Sequence, residues 1–155
     1  MSRTALERIA RRMEGEGKRL VLSNGCFDLL HSGHVRLLTR ARRLGDALAV
    51  AVNSDRSVRR LKGPGRPVVG QRERLEVLSA LEAVHYLVLF GESTPEALIR
   101  KVRPHILVKG GDWRRLRIIG RETVEAGGGR VQVIPLRKGF STSRLIRRIL
   151  SRFSR

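Results

Sequence analysis

The sequence predicts an α/β fold in one domain, a five-stranded parallel sheet with helices on both faces. Three observations carry this expectation. Short apolar runs rich in Val, Leu and Ile recur five times, as strands buried on both faces require. Between them lie segments whose apolar residues repeat at helical spacing, long enough for parallel crossovers. With 155 residues, 41% hydrophobic and only 4% aromatic, the chain can fill one core with Leu, Val, Ile and Ala, which suits helices on a parallel sheet better than a sandwich.

Residues 1–17 read as a leading helix. In "SRTALERIARRME", Thr4 and Glu7 have the spacing of a capping box, and Leu6, Ile9 and Met13 share a face. The core then spans 18–150, followed by a basic tail at 151–155. "KRLVLSNG" gives the first strand, closed by Ser23, Asn24 and Gly25. Val35, Leu37, Leu38, Ala41 and Leu44 stripe a helix that Gly45 is placed to terminate. "ALAVAVNSD" is the second strand, "GQRERLEVLSALEAV" a helix and "HYLVLFG" the third strand. "TPEALIRKV" follows as a helix with Thr94 at its N-cap and Pro95 at its first position. "HILVKGG" is the fourth strand, "IIGRETVEAGGG" a shorter helix and "RVQVIPL" the fifth strand. "STSRLIRRILSRF" closes the series, with Leu145, Ile149 and Phe153 on a face expected to pack on the sheet. Ligands of such sheets bind beyond the carboxyl ends of the strands, so the loops at 24–34, 53–70, 91–94, 109–117 and 136–142 are where a site belongs.

The formal net charge of +19 admits nucleic acid, anionic lipid or phosphorylated substrates as partners. The basic residues are spread along the chain without zinc-finger spacing or an aromatic-basic recognition motif, so the charge alone does not make nucleic acid the main partner. A lone cysteine and the lack of a signal-like or membrane-length apolar run lead to the expectation of a cytoplasmic protein without a membrane partner.

The loop after the first strand feeds a helix N-terminus, whose free N–H groups and dipole favour anions, and His31 and His34 stand beside it. Anion chemistry, metal ligation and ordinary helix-start histidines all fit that placement; no HExxH pattern or compact ligand set supports the metal. Lys62, in "LKGPGRP", can carry an ammonium over phosphates. Ser141, Thr142 and Ser143 open the last helix, where they either cap it or bind phosphate oxygens. Gly110 and Gly111 in "KGGDW" permit close backbone approach, with Lys109 and Asp112 as polar handles. Asp28 and Asp55 either brace loops or stand near an ion, and neither is assigned as a metal ligand.

"NGCFDLLHSGH" carries a G-x-F-D-x-x-H-x-G-H core from Gly25 to His34 that resembles the signature of the cytidylyltransferase-like nucleotidyltransferases. "VNSD", "RRLKGPGRP", "QRERLEVLSALEAV", "LVKGGDW" and "GFSTSRLI" extend the likeness over roughly residues 18–150. They look closest to the D-glycero-β-D-manno-heptose 1-phosphate adenylyltransferases. The resemblance implies a Rossmann-like sheet and direct in-line transfer of AMP from ATP to a sugar 1-phosphate, with Mg²⁺ accompanying the nucleotide and a homodimer as the assembly. It places His31, His34 and Lys62 in catalysis. Asn24, Gly25, Cys26, Phe27, Gly33, Lys109, Gly110, Asp112, Ser141, Thr142 and Ser143 fall at the nucleotide, and Arg72 and Arg66 at the substrate phosphate. Cys26 is not expected to act as a nucleophile. Glycerol-3-phosphate cytidylyltransferase and FAD synthetase share the implied chemistry, and a noncatalytic nucleotide or nucleic-acid binder is the alternative of another class.

Overall fold

The computed structural model describes residues 1–111, 118–136, 139 and 141–153. The elements run α1 (Arg3–Gly15), β1 (Leu20–Gly25), α2 (Ser32–Arg42), β2 (Ala47–Asn53), α3 (Asp55–Lys62), α4 (Gln71–Ser79), β3 (Tyr86–Phe90), α5 (Glu96–Val102), β4 (Ile106–Gly110), α6 (Arg121–Ala126), β5 (Arg130–Ile134) and α7 (Thr142–Phe153). The five strands form one sheet in the order β3-β2-β1-β4-β5, and every pair is parallel. It is the expected Rossmann-like architecture.

Strand alternation divides the core in two. From β2, Ala47, Ala49 and Ala51 point to one face and Leu48, Val50 and Val52 to the other. The first face is covered by α1 through Leu6, Ala10 and Met13, by α5 through Leu98, Ile99 and Val102, and by α6 through Val124. The second is covered by α2 through Leu37, Leu38 and Ala41, and by α4 through Leu75 and Leu78. All of β2 is buried, so its near-continuous apolar run reflects layers above and below it.

The strand order reverses at β1: the chain steps from β1 to β2 on one side and later returns to place β4 on the other. β1 is registered to β2 from Leu20 to Gly25, but to β4 only from Val21 to Ser23. The strand ends diverge beyond Ser23, and the crevice opens there.

Several local expectations are corrected. The cap of α1 is Ser2, whose Oγ accepts from Ala5 N at 3.1 Å. Thr4 instead accepts from Lys101 Nζ, and Glu7 pairs with Arg11. The residue before α5 is Pro95 and no side chain caps it, so Thr94 does not fill that role. α2 ends at Arg42, and Gly45 serves close packing: a Cβ there would lie 2.6 Å from the Arg19 carbonyl oxygen. The segment after β2 contains an extra helix, α3, capped by the Ser54 hydroxyl on Ser57 N. Finally, α7 has no fully buried residue: Leu145 and Ile146 are half-buried, while Ile149, Leu150 and Phe153 are exposed, so the second half of its apolar face is not packed on the sheet.

Candidate active site

A cleft of about 580 Å³ lies at the carboxyl ends of the strands, over the point where the strand order reverses. The loop after β1 supplies Asn24, Gly25, Cys26 and Phe27, and the start of α2 supplies His31, Gly33 and His34. β4 contributes Lys109 and Gly110; Lys62 and Arg66 close one side; Ser141, Thr142 and Ser143 enter at the start of α7. Asp112 lies outside the described residues. Apart from it, the structure brings together every expected site residue except Arg72.

The turn after β1 is held in an uncommon backbone conformation. Phe27 has φ 48°, a left-handed setting that costs a non-glycine residue about 1–2 kcal/mol. Burial of its ring in the core and a tilted contact with His34, centroids 5.3 Å apart, offset that cost. The kink turns the chain into α2 so that its first turn faces the cleft.

Three short-range contacts set the two histidines. His31 is the N-cap of α2, and its Nδ1 accepts from Gly33 N at 3.2 Å, which leaves Nε2 as the protonated nitrogen of the neutral ring. The His31 and His34 rings stack with centroids 3.8 Å apart. Burial first, and then the nearby His31, push the His34 pKa down to about 4, and its Nδ1 is buried without a hydrogen-bond partner. Burial also lowers His31. Among the described residues no carboxylate pairs with either ring, so both rest neutral, and an anion in the cleft would supply a countercharge.

Positive charge faces them. Lys109 is pushed down to about 8, and burial is the cause. Lys62 stands at the C-terminal end of α3, whose last residue it is, and not in a loop as the sequence suggested. Gly33 is buried in the first turn of α2. Gly110 forms floor against which a Cβ would crowd Leu136 at 2.8 Å and Leu37 at 3.0 Å, so a side chain there would push these leucines aside. At the start of α7, the Ser141 hydroxyl accepts from Arg144 N at 3.2 Å and so caps the helix. Thr142 and Ser143 lie beside that cap on the cleft wall.

Asp28 is fully buried and braces this wall. Its carboxylate accepts from Val68 N at 2.8 Å, from Val69 N at 2.9 Å and from Arg66 Nε. Burial disfavours its charge, but those backbone N–H groups and the guanidinium outweigh that and hold it below the usual carboxylate range. Arg66 is therefore committed in part to Asp28 while it lines the cleft. Cys26 donates weakly to Asn53 Oδ1, and burial pushes its thiol up, away from a reactive thiolate.

Arg72 is exposed on α4 and does not line the cleft. Two residues on, just over half a helical turn away, Arg74 points inward and is 2% exposed. It donates to the carbonyls of Val69, Cys26 and Asn53, and to Asp55 Oδ1 at 2.9 Å. One guanidinium thus ties the β1 loop, the end of β2 and the segment before α4. The sequence did carry a signal: Arg74 precedes Leu78 by four, on the buried stripe of the helix. The apolar cleft wall of Phe90, Ile118 and Leu136 was not foreseen either.

Both Asp28 and Asp55 accept from arginines, and among the described residues no group of three or more His, Cys, Asp or Glu side chains is placed to hold a metal ion. The described donor set of the cleft suits phosphate oxygens.

Residues 22–148 match the cytidylyltransferase-like family model. The chain belongs to the cytidylyltransferase-like family. With that membership it is a nucleotidyltransferase. This cytidylyltransferase-like chain is 52% identical to bifunctional protein HldE of Pelobacter propionicus over 141 residues, 91% of this chain and 29% of that protein. The protein of the same name from Bradyrhizobium sp. is 54% identical over 136 residues, 88% of this chain and 28% of that one. The chain therefore spans under a third of the length of these curated relatives. A crystal structure of the lipopolysaccharide core biosynthesis protein from Thermoplasma volcanium superposes with a TM-score of 0.64 at 29% identity, covering 80% of this chain and 100% of the other. A protein of unknown function from Archaeoglobus fulgidus shares the fold, with a TM-score of 0.59 at 23% identity.

Proposed function

We propose that this cytidylyltransferase-like chain transfers AMP from ATP to D-glycero-β-D-manno-heptose 1-phosphate, giving ADP-heptose and pyrophosphate. The observation that carries the reading is the cleft itself, where two neutral, stacked histidines stand among lysines, a helix start and glycine-lined backbone, with no carboxylate paired to either ring among the described residues. The choice of substrates rests on about 50% identity to proteins named HldE.

In this reading a phosphate oxygen of the sugar phosphate attacks the α-phosphorus of ATP, and the bond from that phosphorus to the β-bridging oxygen breaks. Pyrophosphate carries away the electron pair, and no covalent enzyme intermediate forms. The chain's task is to position the reactants and match the charge that builds on the departing oxygens. His31 and His34 donate to the phosphates from the α2 start, with Ser141 to Ser143 on the β- and γ-phosphates. Lys109 and Lys62 compensate the charge, and Gly110 lets the nucleotide lie against the backbone. Arg66 borders the acceptor phosphate. Mg²⁺ is proposed to arrive on the nucleotide's own phosphate oxygens.

Pyrophosphate release across the four nucleoside triphosphates, paired in turn with heptose 1-phosphate, glycerol 3-phosphate and FMN, tests the reading, with products identified by mass. ATP with heptose 1-phosphate is expected as the productive pair. Turnover with a different pair only would move the substrates, and no turnover by the folded protein with any pair would overturn the assignment.

A further inference from the structure

We propose that α7 is a membrane-surface helix that seats its apolar face in the headgroup layer of an anionic bilayer. At 100° per residue, Leu145, Ile146, Ile149, Leu150 and Phe153 fall within an arc of about 140°. Arg144, Arg147, Arg148 and Arg152 fill the opposite side, and the helix contains no acidic residue. A face of this kind ordinarily packs against a sheet. Here no residue of α7 is fully buried: Leu145 and Ile146 are half-buried, and exposure rises from there along the helix, with Ile149 47% exposed, Leu150 55% and Phe153 78%.

Charge complementarity selects the occupant. A second copy would bring another +19 and another four arginines against the first set, and three exposed apolar side chains fall well short of the roughly 20–30 residues a side of a stable protein interface. Nucleic acid would satisfy the arginines but leave Ile149, Leu150 and Phe153 in water. An anionic lipid surface satisfies both sides of the helix, with acyl carbons for the apolar arc and headgroup phosphates for the guanidinium fringe. Twelve residues span about 18 Å, so such a helix lies along the surface. No helix among the described residues is long and apolar enough to cross the bilayer, and the proposal requires none.

The test is co-sedimentation of the full chain with phosphatidylcholine vesicles, with and without phosphatidylglycerol. A chain this basic adheres to anionic surfaces by charge alone, so the deciding variant is Ile149→Ser/Phe153→Ser, which keeps every charge. Binding to the anionic vesicles only, weakened about tenfold or more in the serine variant while pyrophosphate release is unchanged, is the expected result. Equal sedimentation of the variant would reduce the effect to surface adhesion and overturn the proposal. So would absence of vesicle binding, whether the chain is monomeric or forms a dimer that the serine variant breaks. Should that variant misfold by circular dichroism, Phe153→Trp with Trp113→Phe gives an independent reading. Its emission shifts to the blue with anionic vesicles if the helix inserts, and an unshifted spectrum would overturn insertion.

Discussion

His34 is a base kept neutral by its surroundings, and this makes two measurements informative. As pH falls through 6.5 the unfolded chain protonates this ring, whereas the folded chain does so only near its pKa of about 4. The group therefore costs the native state stability progressively across that window, by about 2 kcal/mol at pH 5. Urea unfolding at pH 7 and pH 5 is expected to show a smaller acid loss in His34→Gln than in the parent. In turnover, His34→Ala is expected to lower kcat about a hundredfold to a thousandfold, roughly 3–4 kcal/mol of transition-state stabilisation, with the fold kept. Lys109 has the opposite dependence on its charged form. It is cationic below pH 8 and loses its charge as pH rises through that value, so the KM for ATP is expected to climb above pH 8, a rise that Lys109→Met abolishes at the expense of a higher KM throughout. Residues of this kind were legible because their types are scarce: four histidines in 155 residues make a pair three apart conspicuous. Arg74 was not, because 33 basic residues hide the one whose work is internal.

The apolar runs of β1 and β2 were readable because a strand buried on both faces must be apolar, whereas the edge strand β5 exposes Arg130 and Gln132 and shows itself only through Val133 and Ile134. α3 was missed because, of its eight residues, only Val58 and Leu61 are apolar, too few to set a period. The packing of α7 was misjudged for another reason: periodicity defines a face and says nothing of what covers it. The wall formed by Asp28, Arg66 and Arg74 was invisible for lack of any sequence rule that pairs residues about 40 apart. That wall can be probed. Arg74→Leu strands the carbonyls of Cys26, Asn53 and Val69 and removes the partner of Asp55, and is expected to cost about 3–5 kcal/mol in chemical denaturation. Arg72→Leu, on the exposed side of the same helix, is expected to change stability by less than about 0.5 kcal/mol.

Across the whole molecule, an excess of 19 positive charges acts on folding and on substrate capture in opposite senses. Self-repulsion opposes the compact state, while the same field would draw the triphosphate of the proposed substrate to the cleft. Raising salt from low to about physiological strength, where the Debye length is near 8 Å, is therefore expected to raise Tm and the KM for ATP together. Calorimetry and initial rates on the same samples check this, and a KM indifferent to salt would show that contacts within the cleft, rather than the overall field, govern capture. The sheet adds one more consequence. β1 is laddered to β2 along six residues but to β4 only from Val21 to Ser23, so the molecule is least securely stitched where the two halves of the cleft meet. A nucleotide gripped by the β1 loop on one side and by Lys109 and Gly110 on the other would bridge that seam like a clasp. Deuterium should then enter the amides of Leu107 and Val108 sooner than those at the centre of β2 in the empty protein, and the difference should close when the nucleotide is held.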